Sequence, residues 1–78
     1  MKDPDTEFDQ NSFQVELGAN IAKVRTSKGY SQDRLCLEAG FARGTLSKIE
    51  RGLVDPKAST LKRIALTIGV APRKIFDF

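Results

Sequence analysis

Residues 31–52 read SQDRLCLEAGFARGTLSKIERG, and the fold is predicted mainly from this segment. Ser31 is a favourable N-cap residue and begins a helix of about two turns that ends at Gly40. A second helix is predicted over 42–51, ending at Gly52. Two helices joined by a short turn with glycine form a helix-turn-helix. Small or apolar residues occupy the positions that pack such a pair together: Leu35, Cys36, Ala39, Phe41, Leu46 and Ile49.

The outward face of the predicted helix over 42–51 is basic. At 100° per residue it holds three cations and no acid, in the set Arg43, Gly44, Ser47, Lys48 and Arg51. Arg and Lys donate to guanine O6 and N7, and a serine hydroxyl bonds several bases. We therefore expect a base-reading surface, with Thr45 at its margin. The alternative is an ordinary solvated helix face.

Gly44 is unusual inside a predicted helix, where glycine costs about 1 kcal/mol relative to alanine. Its position near the centre of the outward face suggests that the missing side chain lets the helix approach base pairs closely. The alternative is a position that makes no contact, where the residue type has drifted.

Helical patterns continue on both sides of this stretch. Asn11 or Ser12 is the predicted N-cap of a first helix that ends at Gly29, and Ser59 is the predicted N-cap of a fourth that ends at Gly69. Pro72 begins a short fifth helix. No segment alternates with strand period, so the sequence predicts an all-α domain over 11–78. Residues 1–10 are acidic and are expected to form a flexible tail.

Composition narrows the function. The 78 residues carry a net charge of +3, divided between −3 in residues 1–10 and +6 in the rest, which favours a polyanionic partner. With one cysteine, no histidine and no phosphate-binding loop, we expect no enzyme, metal, cofactor or small-molecule ligand. Because no apolar run could span a bilayer and the acidic N-terminus is unlike a signal peptide, we expect a cytoplasmic protein without membrane contact.

The sequence RTSKGYSQDRLCLEAGFARGTLSKIERG…P…TLKRIALTIGV resembles the phage-repressor-like (Cro/CI-type, XRE) helix-turn-helix family, over roughly residues 13–77. The resemblance implies a compact five-helix, lambda-repressor-like domain whose third helix enters the DNA major groove. Within the family, a compact single-domain form is similar to restriction-modification controller proteins and to small phage or antitoxin-type repressors. Gly44 departs from the family pattern, which more often has a polar residue there.

The resemblance also implies roles for residues that do not read bases. Gln32 matches a position that contacts a backbone phosphate; a solvent-exposed first-turn residue is the alternative. Arg25 and Glu50 match a salt bridge between the first helix and the end of the third. Arg51 and Lys57 are further phosphate candidates, or ordinary surface cations. Cys36 occupies the place of a small core residue.

Several apolar residues do not fit the inward faces of their helices. Leu37 and Leu66 point away from them, and the C-terminus is rich in apolar side chains. We expect a homodimer interface formed by Leu66, Ile75, Phe76 and Phe78. The alternative is that some of these residues cap the small core, with Phe8 as a lid.

The sequence therefore predicts a sequence-specific regulator of transcription, acting as a homodimer on a palindromic operator in double-stranded DNA. It would carry no effector or catalytic domain. The alternative is a protein-interaction module, an antitoxin or adaptor that uses the same fold to bind another polypeptide.

Overall fold

The computed structural model describes residues 8–78, which form four α-helices and a 3₁₀ helix: α1 (Gln10–Ser27), α2 (Gln32–Ala39), α3 (Thr45–Glu50), α4 (Ala58–Ile68) and the 3₁₀ helix Pro72–Phe76. There is no strand within this range, which confirms the all-helical prediction. The expected fifth α-helix is instead the 3₁₀ helix, with Pro72 in its first turn. Most of the expected flexible tail, residues 1–7, lies outside the described residues.

The helix starts follow local capping chemistry, with two differences from the predictions. Ser31 caps α2 as predicted, since its side chain accepts a hydrogen bond from the Arg34 amide. The prediction for α1 was wrong by two or three residues: the Asp9 carboxylate accepts from the amides of Asn11 and Ser12. Ser59 is not a cap either, because α4 begins one residue earlier and has no side-chain cap. A carboxylate satisfies free N–H groups as well as a hydroxyl does, so Asp9 takes the cap.

The core lies where α1 crosses α3 and the 3₁₀ helix, and where α4 packs against α2 and the 3₁₀ helix. Its largest fully buried side chains come from all five elements: Leu17, Ile21, Leu35, Leu46, Ile64 and Ile75. Ile75 is completely buried, so its expected place in a dimer interface was wrong. Asn20 holds the 3₁₀ helix over this core, because its Nδ2 donates to the carbonyl oxygens of Lys74 (2.8 Å) and Ile75 (2.7 Å).

Helix α3 is shorter than predicted, and Gly44 lies before it. Phe41 and Ala42 belong to no regular element, Arg43 and Gly44 form a turn, and the helix begins at Thr45. Gly44 is the N-cap with φ +87°, in the left-handed region that glycine adopts readily and other residues avoid. A Cβ at this position would meet nothing within 4 Å. The backbone therefore accounts for glycine here, and the expected mid-helix position was wrong.

A second glycine sets how closely α1 and α3 approach. Gly18 is buried in α1, and a Cβ there would lie 2.6 Å from the Glu50 carbonyl oxygen and closer still to that of Ile49. No side chain fits between the two helices at this point. The crossing places the C-terminal end of α3 directly on the α1 backbone, which leaves the N-terminal end of α3 to face solvent.

Candidate nucleic-acid interface

A surface groove of about 370 Å³ lies between the start of α2 and the start of α3. We call it the reading groove; it is lined by Gln32, Asp33, Cys36, Leu37, Phe41, Arg43, Gly44 and Ser47. Four of these residues were predicted to contact DNA from sequence. The fold thus brings Gln32, the first residue of α2, to the same groove as the residues around the start of α3.

The predicted base-reading residues divide between the turn and the helix. Arg43 is exposed in the turn rather than on the helix, which corrects its expected place on the outward helical face. Thr45 and Ser47 are half-buried in the first turns of α3, and Lys48 is exposed. The polar surface that can meet a base edge is therefore the N-terminal end of α3 with the preceding turn.

The cations of this surface have no acidic partner within residues 8–78. The ion pairs there join Arg25 to Glu50 and Arg34 to Glu38. Arg43, Lys48 and Arg51 take part in neither, although Arg51 Nε reaches the Ser47 carbonyl oxygen at 3.4 Å. Guanidinium and ammonium groups without a carboxylate partner keep their N–H donors for phosphate oxygens or guanine.

The ion pair expected between Arg25 and Glu50 is present and nearly buried. Arg25 Nε and Nη2 donate to the two Glu50 carboxylate oxygens at 2.7 and 2.9 Å, with side-chain exposures of 11% and 6%. The Arg25 Nη1 donates to the Tyr30 carbonyl oxygen at 2.7 Å. The hydrogen bond to Glu50 raises the pKa of Arg25 above its ordinary value despite burial. This network fixes the C-terminal end of α3 to α1.

Gln32 belongs to the same network. Its Nε2 donates to Glu50 Oε1 at 2.9 Å, which ties the first residue of α2 to the last residue of α3. A second amide hydrogen stays free, so the geometry is compatible with the expected phosphate contact. Sequence reasoning gave Gln32 a phosphate role and missed this bond, because no local pattern pairs it with a residue 18 positions away.

The remaining predicted residues do not line the reading groove. Lys57 is exposed just before α4. Leu66 (64% exposed) lies on α4, and Phe76 (52%) and Phe78 (54%) lie at the C-terminus. The Phe78 ring lies 6.3 Å from that of Phe13.

Other side chains of the described range offer little chemistry. Cys36 is half-buried at the reading groove. Among residues 8–78 no group of His, Cys, Asp or Glu could hold a metal ion. In the same range, no helix combines the length and hydropathy that a bilayer crossing requires.

Comparison with known proteins agrees with this geometry. A family model described as Helix-turn-helix (HTH_3) matches residues 21–75, which include all of α2, the turn and α3. The chain belongs to this helix-turn-helix family.

Two curated helix-turn-helix relatives are similar over most of this chain. The HTH-type transcriptional regulator SlrR of Bacillus subtilis is 39% identical over 62 residues, 78% of this chain. The chain spans 41% of the length of SlrR. The uncharacterized HTH-type transcriptional regulator y4dJ of Sinorhizobium fredii is 36% identical over 55 residues, 70% of this chain and 71% of y4dJ.

A solved structure is similar to most of this chain. The restriction-modification controller protein C.AhdI from Aeromonas hydrophila superposes with a TM-score of 0.79 at 28% identity. The match covers 83% of this chain and 98% of C.AhdI.

Proposed function

We propose that this protein is a sequence-specific, double-stranded-DNA-binding regulator of transcription that acts as a homodimer. The observation that carries the proposal is the reading groove, where Arg43, Ser47 and Gln32 come together at the exposed N-terminal end of α3. In a helix-turn-helix the second helix enters the major groove with its N-terminal residues on base edges, while the first crosses the backbone. Here α3 is the helix that enters the major groove, and α2 is the helix that crosses the backbone. Because the partner is DNA, the proposed site of action is the cytoplasm.

Base reading falls to the residues that precede and begin α3. Arg43 is suited to a guanine, because a guanidinium donates to O6 and N7 together. Ser47 and Lys48 contact neighbouring base edges, and Thr45 meets a phosphate or a thymine methyl at the margin. Gly44 supports base reading because its left-handed conformation forms the turn into α3, and Arg43 and Ser47 line the same groove.

Backbone contacts fix the protein on the duplex without reading sequence. Gln32 donates its free amide hydrogen to a phosphate, and Arg51 and Lys57 add cations further along the strand. The bonds from Arg25 and Gln32 to Glu50 tie Gln32 to the last residue of α3, the helix that carries Ser47 and Lys48.

Dimerisation is supported by exposed apolar residues away from the reading groove, Leu66, Phe76 and Phe78. A two-fold interface there would present two α3 helices to half-sites about one helical turn apart, and the operator would be a palindrome. The similarity to C.AhdI over nearly all of that chain supports a controller role in a restriction-modification system. A small phage-type repressor is the neighbouring possibility within the same function.

Selection of bound duplexes from a random-sequence pool tests the proposal. Wild-type protein should enrich two inverted half-sites whose centres are ~10 bp or a multiple apart, and sedimentation should give a dimer. Arg43→Ala should lose preference at one base pair of each half-site. A flat pool with folded protein would refute the DNA-reading function.

A second candidate is a protein-interaction module, an antitoxin or adaptor. Leu37 favours it, since this side chain is 83% exposed and lines the reading groove. That function predicts a flat DNA pool and tolerance of substitutions at Arg43 and Lys48.

A further inference from the structure

The chain has a second basic region beyond α3. Residues 56–76 contain five Lys or Arg residues and no Asp or Glu. Two of these cations, Lys62 and Arg63, are adjacent on the exposed side of α4, where they line a groove of about 390 Å³. A helix without acids has no internal partner for its cations, so this face is a candidate for an external anion.

Arg63 is distinguished from its neighbours by where its side chain rests. Its Cζ lies 5.5 Å from the centroid of the Phe41 ring, within the range of a cation–π contact. Phe41 is in turn a wall of the reading groove, beside Gln32 and Arg43. The contact therefore holds a guanidinium of α4 at the edge of the groove.

The guanidinium of Arg63 is free to bind an external group. Arg63 belongs to neither ion pair of residues 8–78. The Phe41 ring contacts the guanidinium at a Cζ-to-centroid distance of 5.5 Å and takes up none of its N–H donors by an ion pair. A guanidinium with free donors is suited to bidentate recognition of a phosphate.

We infer that Arg63 contacts a backbone phosphate of DNA at the Phe41 edge of the reading groove. The contact extends the interface from α2 and α3 onto α4, and it rests on the proposed DNA-binding function. Arg63 adds affinity and fixes register, and it carries no base preference. Its cation–π contact with Phe41 places the guanidinium beside the groove in the free protein.

The test uses salt dependence, because each phosphate contact contributes about 0.9 to the slope of log K against log salt. The probe is a mixed-sequence duplex of about three helical turns (~30 bp), so no operator is required. Binding of wild type, Arg63→Ala, Arg63→Lys and Arg73→Ala is measured by fluorescence anisotropy from low to high salt. Arg73→Ala is the matched control, since it removes the same charge from the 3₁₀ helix.

Arg63→Ala should reduce the steepness of log K against log salt by about 0.9. If wild type and variant extrapolate to equal affinity at 1 M salt, the variant binds about fivefold more weakly at 0.15 M salt. Arg63→Lys should keep the wild-type slope, because the charge remains, and Arg73→Ala should keep it because that cation lies elsewhere. Thermal unfolding of each variant verifies that all four proteins are folded at the assay temperature.

Two results would overturn the inference, and they differ from failure of the function. An unchanged slope for Arg63→Ala, with wild type binding in a salt-dependent way, removes Arg63 from the interface and leaves DNA binding intact. Equal slope changes for Arg63→Ala and Arg73→Ala would mean that overall charge is responsible. Wild-type protein that binds no duplex at any salt concentration would refute the DNA-binding function and this inference together.

Discussion

Glu50→Ala should destabilise this small domain severely. The Glu50 carboxylate accepts three hydrogen bonds, two from Arg25 and one from Gln32, and its side chain is 6% exposed. Truncation leaves the Arg25 guanidinium nearly buried with the Tyr30 carbonyl as a remaining acceptor. Removing one partner of a buried pair costs about 3–5 kcal/mol.

That loss is large against the whole stability of the molecule. A domain of 78 residues has a free energy of unfolding of about 4–12 kcal/mol. We therefore expect Glu50→Ala to lose at least about a quarter of the free energy of unfolding. Urea denaturation followed by circular dichroism at low temperature measures the change, with the urea midpoint falling and the slope m unchanged.

Glu38→Ala is the matched control, because Glu38 also accepts from an arginine, at 2.8 Å, but on the surface. Its side chain is 42% exposed, and solvent replaces the lost bond there. The loss should be much smaller than for Glu50→Ala. Equal losses for the two variants would refute the view that the Arg25–Glu50 pair locks α3 to α1.

The other predictions concern the turn, the base contact and acid stability. Gly44→Ala should lower the free energy of unfolding by roughly 1–2 kcal/mol, since φ is +87° and only the backbone is strained. If Gly44 were inside a helix, alanine would instead stabilise the protein. The sign of the change in urea denaturation therefore separates the two placements of Gly44. Arg43→Ala should cost about 1–3 kcal/mol of binding free energy on the selected operator and relax the preference at one base pair, whereas Lys57→Ala should weaken binding to all sequences alike and reduce the salt slope by about one unit. Competition with single-base operator variants separates the two effects. A uniform loss for Arg43→Ala would contradict base reading. The hydrogen bond from Arg34 lowers the pKa of Glu38 below its ordinary 4.5. The contribution of this carboxylate to folding stability is therefore present above about pH 4.5 and disappears as pH falls through the lowered pKa. The stability difference between wild type and Glu38→Gln should shrink in acid, and a difference that grows would contradict this assignment.

Features set by neighbouring residues could be predicted from the sequence. Ser31 caps α2 and Gly40 ends it, because each acts on backbone groups a few residues away. The ion pair between Arg25 and Glu50 followed from family resemblance, since 25 residues separate the partners.

Features set by tertiary packing could not be predicted in this way. The residues around Gly44 are consistent with a helix that includes Gly44 and also with a turn that precedes a shorter helix. Hydrophobic periodicity does not distinguish between these two structures. Gly18 is unfavourable inside a helical pattern, but the pattern does not show which element packs against it. Ile75 belongs to a terminal apolar run, and its burial depends on the bonds from Asn20 across 54 and 55 residues.

Mapping amide chemical shifts of isotope-labelled protein with a selected operator duplex tests the central claim most directly. The free and DNA-bound samples have the same protein concentration, so changes report DNA contact. The account predicts the largest changes at Gln32 and across residues 43–48, with the 3₁₀ helix Pro72–Phe76 little affected. Changes centred on the 3₁₀ helix, with residues 43–48 unperturbed, would contradict it.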